Sequence, residues 1–232
     1  MEACYNVLDE KIINKIIPNT REFLKTAHSI NYKKSNDLTP IHNKLHALSL
    51  KEGYKLKFYS IGDGNSLISP HESTSLAGNF NSYVCVEDCR TGKMLYGNVS
   101  KYFDFEFNEC SVWELYLIMI HSITFLPAGW HGCYEDHKII LGDPELLEIS
   151  PEKDGGINKF DKKSLSLYMH NPIVCPSIKI LSKNLAKIYI TLFTKWGGLE
   201  QHHIIVSNKP DGIKFKELGK ITLISYDPGF LY

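Results

Sequence analysis

The chain has 232 residues, 43% of them hydrophobic and 22% charged, so it can bury a sizeable core and is not disordered by composition. Its 26 Lys and Arg balance 26 Asp and Glu, which excludes a whole-molecule field that would draw in nucleic acid or anionic lipid. The 6 cysteines are scattered through a chain much larger than the scaffolds that depend on disulfides, and they read as reduced thiols of a cytoplasmic protein.

The opening stretch MEACYNVLDEK carries acids where a secretion signal needs a basic segment and an apolar run, so no signal is expected. Ile12, Ile13, Ile16, Ile17, Phe23 and Leu24 then form one apolar stripe, which predicts an amphipathic helix kinked or divided at Pro18. Thr39 as N-cap, Pro40 in the first turn and Gly53 as a stop predict a second helix. His42 and His46 share a face of that helix in the spacing of a two-histidine zinc motif. Asn43 stands where the motif has its glutamate, so solvated histidines are expected.

YKLKFYSIG alternates as a strand does, and Gly62 to Asn79 has the composition of a long surface loop. Within it GDGNS resembles the Asp-Gly-Asn-Cys loop of the ovarian-tumour deubiquitinases, but only over these few residues. Ser66 stands where that family has its nucleophilic cysteine, so a plain turn is the expectation. NSYVCVEDCRTGKMLYGN predicts a hairpin turning at Thr91 and Gly92. Along such a strand Cys85 and Cys89 lie about 13 Å apart, beyond disulfide reach.

Ser111 and Glu114 match an S-x-x-E capping box at the head of a buried helix, Val112 to Leu126. The apolar run LYLIMIHSITFL falls short of the roughly 20 residues that cross a bilayer and holds His121 at its middle. Further on, Lys179, Lys183 and Lys187 recur every four residues opposite Ile178, Leu181, Leu185 and Ile188, which reads as a helix with a solvated basic ridge. Aromatic platforms and a basic surplus, the usual marks of nucleic-acid binding, do not accompany it in that reading.

KIYITLFTKWGGLEQHHIIVS predicts a hairpin turning at Gly197 and Gly198, with Lys195 opposite Glu200, Leu192 opposite His203 and Ile190 opposite Ile205. That register sends His203 into the core and puts Phe193 and His202 on the other face. A turn at Pro210 to Gly212 and a last strand, KITLISYD, complete a meander. The expected architecture is a single α+β domain over residues 1–232: a largely antiparallel sheet, made of the C-terminal meander and a mid-chain hairpin, covered by helices of which one is buried.

The most reactive-looking stretch is AGWHGCYEDHK, just past the buried helix. His131, Cys133 and His137 are metal-ligand types, but their uneven spacing matches no zinc module, so neither metal nor cofactor is assigned. In a catalytic reading His131 is the general acid or base of a hydrolase or transferase, helped by Asp136 or His137, with Glu114 and His121 lining the same pocket. In a binding reading Trp130, Tyr134 and Trp196, with the loop from Gly62 to Asn79, form a recognition surface for a protein or a small molecule. The absence of a complete catalytic signature favours binding. Neither nucleic acid nor a membrane is an expected partner.

Overall fold

The computed structural model describes residues 10–29, 37–58, 84–119, 138–149, 162–194 and 198–225. It is an α+β fold with several antiparallel sheets. Helix α1 (Glu10–Ser29) is continuous through Pro18, which lies on its exposed side and not at a break between two helices. Ile16, Phe23 and Ala27 make its buried stripe. Thr20 on the same stripe donates to Ile16 O and accepts from Trp113 Nε1, both at 2.7 Å, tying α1 to the central helix.

The second helix is shorter than the sequence suggests. It spans only Thr39–His42 (α2), with Leu38 and not Thr39 at the N-cap, and Thr39 instead bonds Asp37. The physical reason lies in the backbone donors that follow. Glu114 takes the N–H groups of His46 and Ala47, and His42 Nε2 accepts from Leu50 N at 3.3 Å, so side chains satisfy groups that further helical turns would otherwise serve. His42 is therefore half-buried and His46 exposed, and the two do not share a helix face.

Strand β1 (Ser49–Leu50) pairs with β5 (Phe103–Asp104), and β2 (Tyr54–Phe58), β3 (Val84–Asp88) and β4 (Lys93–Leu95) form an antiparallel sheet. The hairpin at Thr91 and Gly92 is as expected, with Gly92 at φ +67°. Cys85 is buried, Cys89 is exposed, and both are free. The central helix α3 (Glu109–Met119) is buried on every side from Ser111 onward, because α1 packs against it and strands of the large sheet lie on its other flank. Its capping box sits three residues upstream of the expected one. Asn108 Oδ1 accepts from Ser111 N and Ser111 Oγ accepts from Asn108 N, both at 3.1 Å, which frees Glu114 for its distant partners.

The large sheet has the order β10 (Gly212–Ile224), β9 (Gly198–Lys209), β8 (Leu185–Thr194). Its far edge is shared end to end by β6 (Lys138–Ile140), along Thr191 to Phe193, and β7 (Ser177–Ser182), along Leu185 to Tyr189. Lys179 and Lys187 thus lie on two strands of a hairpin and not on a helix. The meander and the turn after Lys209 are as expected, but the β8–β9 register is not. Leu192 faces Glu200, Tyr189 faces His203, and the ladder closes on Thr194 and Gly198. A displacement of three positions is odd, so it moves His203 off the core face and puts His202 on it. Phe193 pairs with Leu199 on the opposite side.

One face of the sheet carries Ile178, Ala186, Ile188, Ile190, Ile204 and Val206 into the main core with α1 and α3. The other face is half covered: Phe193, Leu199 and Ile224 join Ile140, Leu146 of α4 (Asp143–Glu148) and Leu165 of α5 (Lys162–Ser166) in a second cluster. Beyond that cluster the face is accessible, with Lys179 and Lys216 exposed and Lys187, Tyr189, His203 and Ile205 half-buried.

The turn into β10 is pinned to the turn at Val99–Tyr102. Asn98 Nδ2 donates to Ile213 O and Ser100 Oγ accepts from Ile213 N, each at 2.8 Å. Gly212 has φ +110°, and a Cβ there would stand 2.7 Å from Asn98 Nδ2 and 2.8 Å from Ser100 Oγ. Gly212→Ala is therefore expected to lose about 2–3 kcal/mol in urea unfolding. Gly92→Ala, with open space around it, should lose only about 1 kcal/mol. Equal losses would show that the contact with Asn98 and Ser100 carries no weight.

Candidate functional site

Of the side chains assigned to a catalytic or binding site from the sequence, Glu114 is described. His121, Trp130, His131, Tyr134, Asp136, His137 and Trp196 lie outside the described residues, as does the loop Gly62 to Asn79. Glu114 is 7% exposed, and its two oxygens accept from His46 N at 2.8 Å and Ala47 N at 2.9 Å. Burial pushes its carboxyl above the usual glutamate range, against the pull of those donors. It borders a small cleft lined by Lys15, Asn19, Lys44, Cys110 and Trp113. Lys44 is paired with Glu22, and burial raises the Cys110 thiol, so the cleft presents neither a free cation at Lys44 nor an activated nucleophile at Cys110. Glu114→Ala leaves two backbone donors without their acceptor, and it is expected to cost about 2–4 kcal/mol in urea unfolding. A loss under about 1 kcal/mol would contradict the bracing role.

The open half of the sheet holds a different combination. One cross-strand row runs Lys179, Lys187, Ile205, Lys216, and the next runs Ser177, Tyr189, His203, Gly219. Lys179 and Lys187 are directly opposite, an arrangement that like charges disfavour. None of Lys179, Lys187 and Lys216 has a carboxylate partner among the described residues. Lys187 Nζ sits 4.7 Å from the Tyr189 ring centroid, and the Tyr189 and His203 rings meet edge to face at 4.6 Å.

His203 is held in place from behind. Gln201 Nε2 donates to Ile173 O at 2.8 Å, which turns Gln201 Oε1 toward His203 Nε2 at 3.2 Å, so Nε2 is the nitrogen that carries the proton. Burial, and then the charges of Lys187 and His202, hold the His203 pKa below the ordinary histidine value. A ring that is neutral at pH 7 follows. Gly219, its neighbour across the ladder, has nothing within 4 Å of where a Cβ would stand, so one flank of His203 is open.

On the core face directly behind this row lies a charged network. His202 Nδ1 is 2.7 Å from Glu217 Oε1, Lys220 Nζ is 2.9 Å from the Glu200 carboxylate, and Thr222 Oγ1 reaches the same carboxylate at 3.5 Å. His202 Nε2 is buried, 3.7 Å from Glu200 Oε2, without a hydrogen-bond partner among the described residues. An imidazole oriented by a carboxylate is the geometry of a general base. Burial of its free nitrogen makes the network here a brace between β9 and β10.

Lys179 and Lys187 were visible in the sequence as a basic ridge, but their association with Tyr189, His203 and Lys216 was hidden because register alone joins them. A second signal was the doublet His202-His203, whose members must point to opposite faces of any strand. Compared with known protein families, curated proteins and solved structures, the chain matches none.

Because its folded-state pKa is below the unfolded value of 6.5, His203 takes up a proton first in the unfolded chain. Its contribution to stability is complete above about pH 6.5 and is lost as the pH falls below it. His42, lowered by burial, acts in the same direction. Denaturation at about pH 7.5 and about pH 5.5 should therefore show a smaller difference in His203→Gln than in the unaltered protein, with His42 supplying part of the remainder. An unchanged difference would remove His203 from the account.

Proposed function

We propose that the protein is a non-catalytic binding protein whose contact surface is the open half of the C-terminal sheet, and that its ligand is an anion. One observation carries this reading: Lys179, Lys187 and Lys216 occupy one cross-strand row with no carboxylate partner among the described residues. The chain has as many acids as bases, so a purely solubilising surface would intersperse them. Zero net charge does not oppose the reading, because the Debye length at physiological salt is about 8 Å and an approaching ligand senses the row and not the whole molecule. The class of function is the one favoured by sequence. The sheet supplies a contact surface among the described residues, whereas Trp130, Tyr134 and Trp196 lie outside them.

The test uses inorganic polyphosphate as the probe. The unaltered protein should bind it in a salt-dependent manner, and the triple variant Lys179→Ala, Lys187→Ala, Lys216→Ala should bind at least about tenfold more weakly. The double variant Lys55→Ala, Lys93→Ala, at exposed positions of the mid-chain sheet, should bind as the unaltered protein does. Equal binding by the triple variant, or no binding by the unaltered protein, would overturn the proposal.

A further inference from the structure

We infer that the anion is a single-stranded nucleic acid, bound with a base against Tyr189 and His203 and its phosphates along the row Lys179, Lys187, Lys216. This rests on the anion-binding reading above and goes beyond it in naming what the second row is for. The two rows are two residues apart along β7, β8 and β9, about 7 Å, and they present cations and aromatic rings side by side. A nucleotide carries both complements in one unit, a phosphate and a flat π-face. Polyphosphate engages the lysines alone, and an acidic peptide brings carboxylates but no base to stack.

Three details of the sheet face match a stacking ligand. His203 is held neutral, so it acts as a ring and not as a fourth cation. The chain from Ile173 O through Gln201 fixes its orientation, while Gly219 leaves space at its flank. The Lys187 ammonium lies over Tyr189, so a phosphate that draws the ammonium away exposes the ring in the same event. A duplex fits poorly, because its bases are stacked on each other and have no face to offer to Tyr189 and His203. Sequence specificity is not implied, since stacking tolerates every base.

The experiment is fluorescence anisotropy with a labelled 12-nucleotide single strand, as RNA and as DNA. Competitors are the corresponding duplex, polyphosphate of matched charge and a glutamate-rich peptide of matched charge. The single strand is expected to bind more tightly than any competitor. Tyr189→Ala should weaken single-strand binding about tenfold and leave polyphosphate binding unchanged, while Tyr189→Phe retains both. Either order of RNA and DNA supports the inference and identifies the source, a preference for RNA pointing to a contact with the 2′-hydroxyl. His203→Ala should also weaken the single strand, and the thermal midpoint of each variant is measured beside its affinity.

If Tyr189→Ala and His203→Ala leave oligonucleotide binding untouched while the triple lysine variant weakens it, the stacking inference falls and the anion-binding reading survives. If the duplex or the glutamate-rich peptide binds as tightly as the single strand, the inference falls in favour of that ligand class. If no anion binds, both readings fall. Should Tyr189→Ala not fold, the comparison of Tyr189→Phe with Tyr189→Leu decides: binding equal in the two variants overturns the inference.

Discussion

Strands β8 and β9 pair without interruption from Leu185 opposite Ser207 to Thr194 opposite Gly198, and that pairing assigns every side chain of the two strands to a face. Ile188, Ile190, Ile204 and Val206 go inward and are almost completely buried. Each contributes roughly 1.5–3 kcal/mol by leaving water. A slip of β9 by one residue would bury His203 and Ile205 and expose Ile204 and Val206, which the transfer energy forbids. The polar network adds direction to this apolar preference, since Glu217 meets His202 and Lys220 meets Glu200 only in the observed alignment of β9 with β10. The outward set, Lys187, Tyr189 and His203, is the complement of the buried one. A ligand face of this composition is a consequence of how the core is packed.

The helices decide which side of the sheet can be a surface. α3 is enclosed on every side from Ser111 onward, and two polar links hold its surroundings to it: Trp113 to Thr20 of α1, and Glu114 to the backbone after α2. The Trp113–Thr20 link is buried at both ends, and in the other the Glu114 carboxylate is buried while the backbone it holds reaches the surface, so each link has at least one group for which a lost hydrogen bond is costly. With α1 and α3 on the core face, the second cluster is what covers the reverse face among the described residues, and it reaches from Phe193 and Leu199 to Ile224. Tyr189 and His203 lie just past its margin. Thr191 and Gln201, in the row between, are both buried, and Gln201 carries the contact outward to His203.

What could be read from the sequence was what nearest neighbours decide. The hairpin at Gly92, the turn before Gly212, the antiparallel meander and the enclosed helix each rest on a local signal that nothing in the tertiary structure opposes. The failures have one form, a local pattern with two physical solutions. Lysines four apart fit one face of a helix, and Lys179 and Lys187 fit one face of a hairpin equally well, because a turn near Lys183 sets them directly opposite each other. The S-x-x-E match at Ser111 and Glu114 lost to Asn108, which caps the helix earlier and leaves the glutamate to a partner 68 positions away. Thr39 and Pro40 start a helix, but side chains from other elements take the donors that would have continued it. The β8–β9 register depended on the length of a connection, and a change of three positions was enough to exchange His202 and His203 between core and surface. The ligand face was illegible for that reason: its residues come from β7, β8, β9 and β10, and no window of sequence holds them together.

The alignment of β8 with β9 is the claim on which all of this stands, and a nuclear Overhauser spectrum of the isotope-labelled protein reads it directly. The account predicts cross-peaks between the ring protons of Tyr189 and those of His203, whose centroids are 4.6 Å apart. Cross-peaks from the His203 ring to the methyl groups of Leu192, with none to Tyr189, would contradict it.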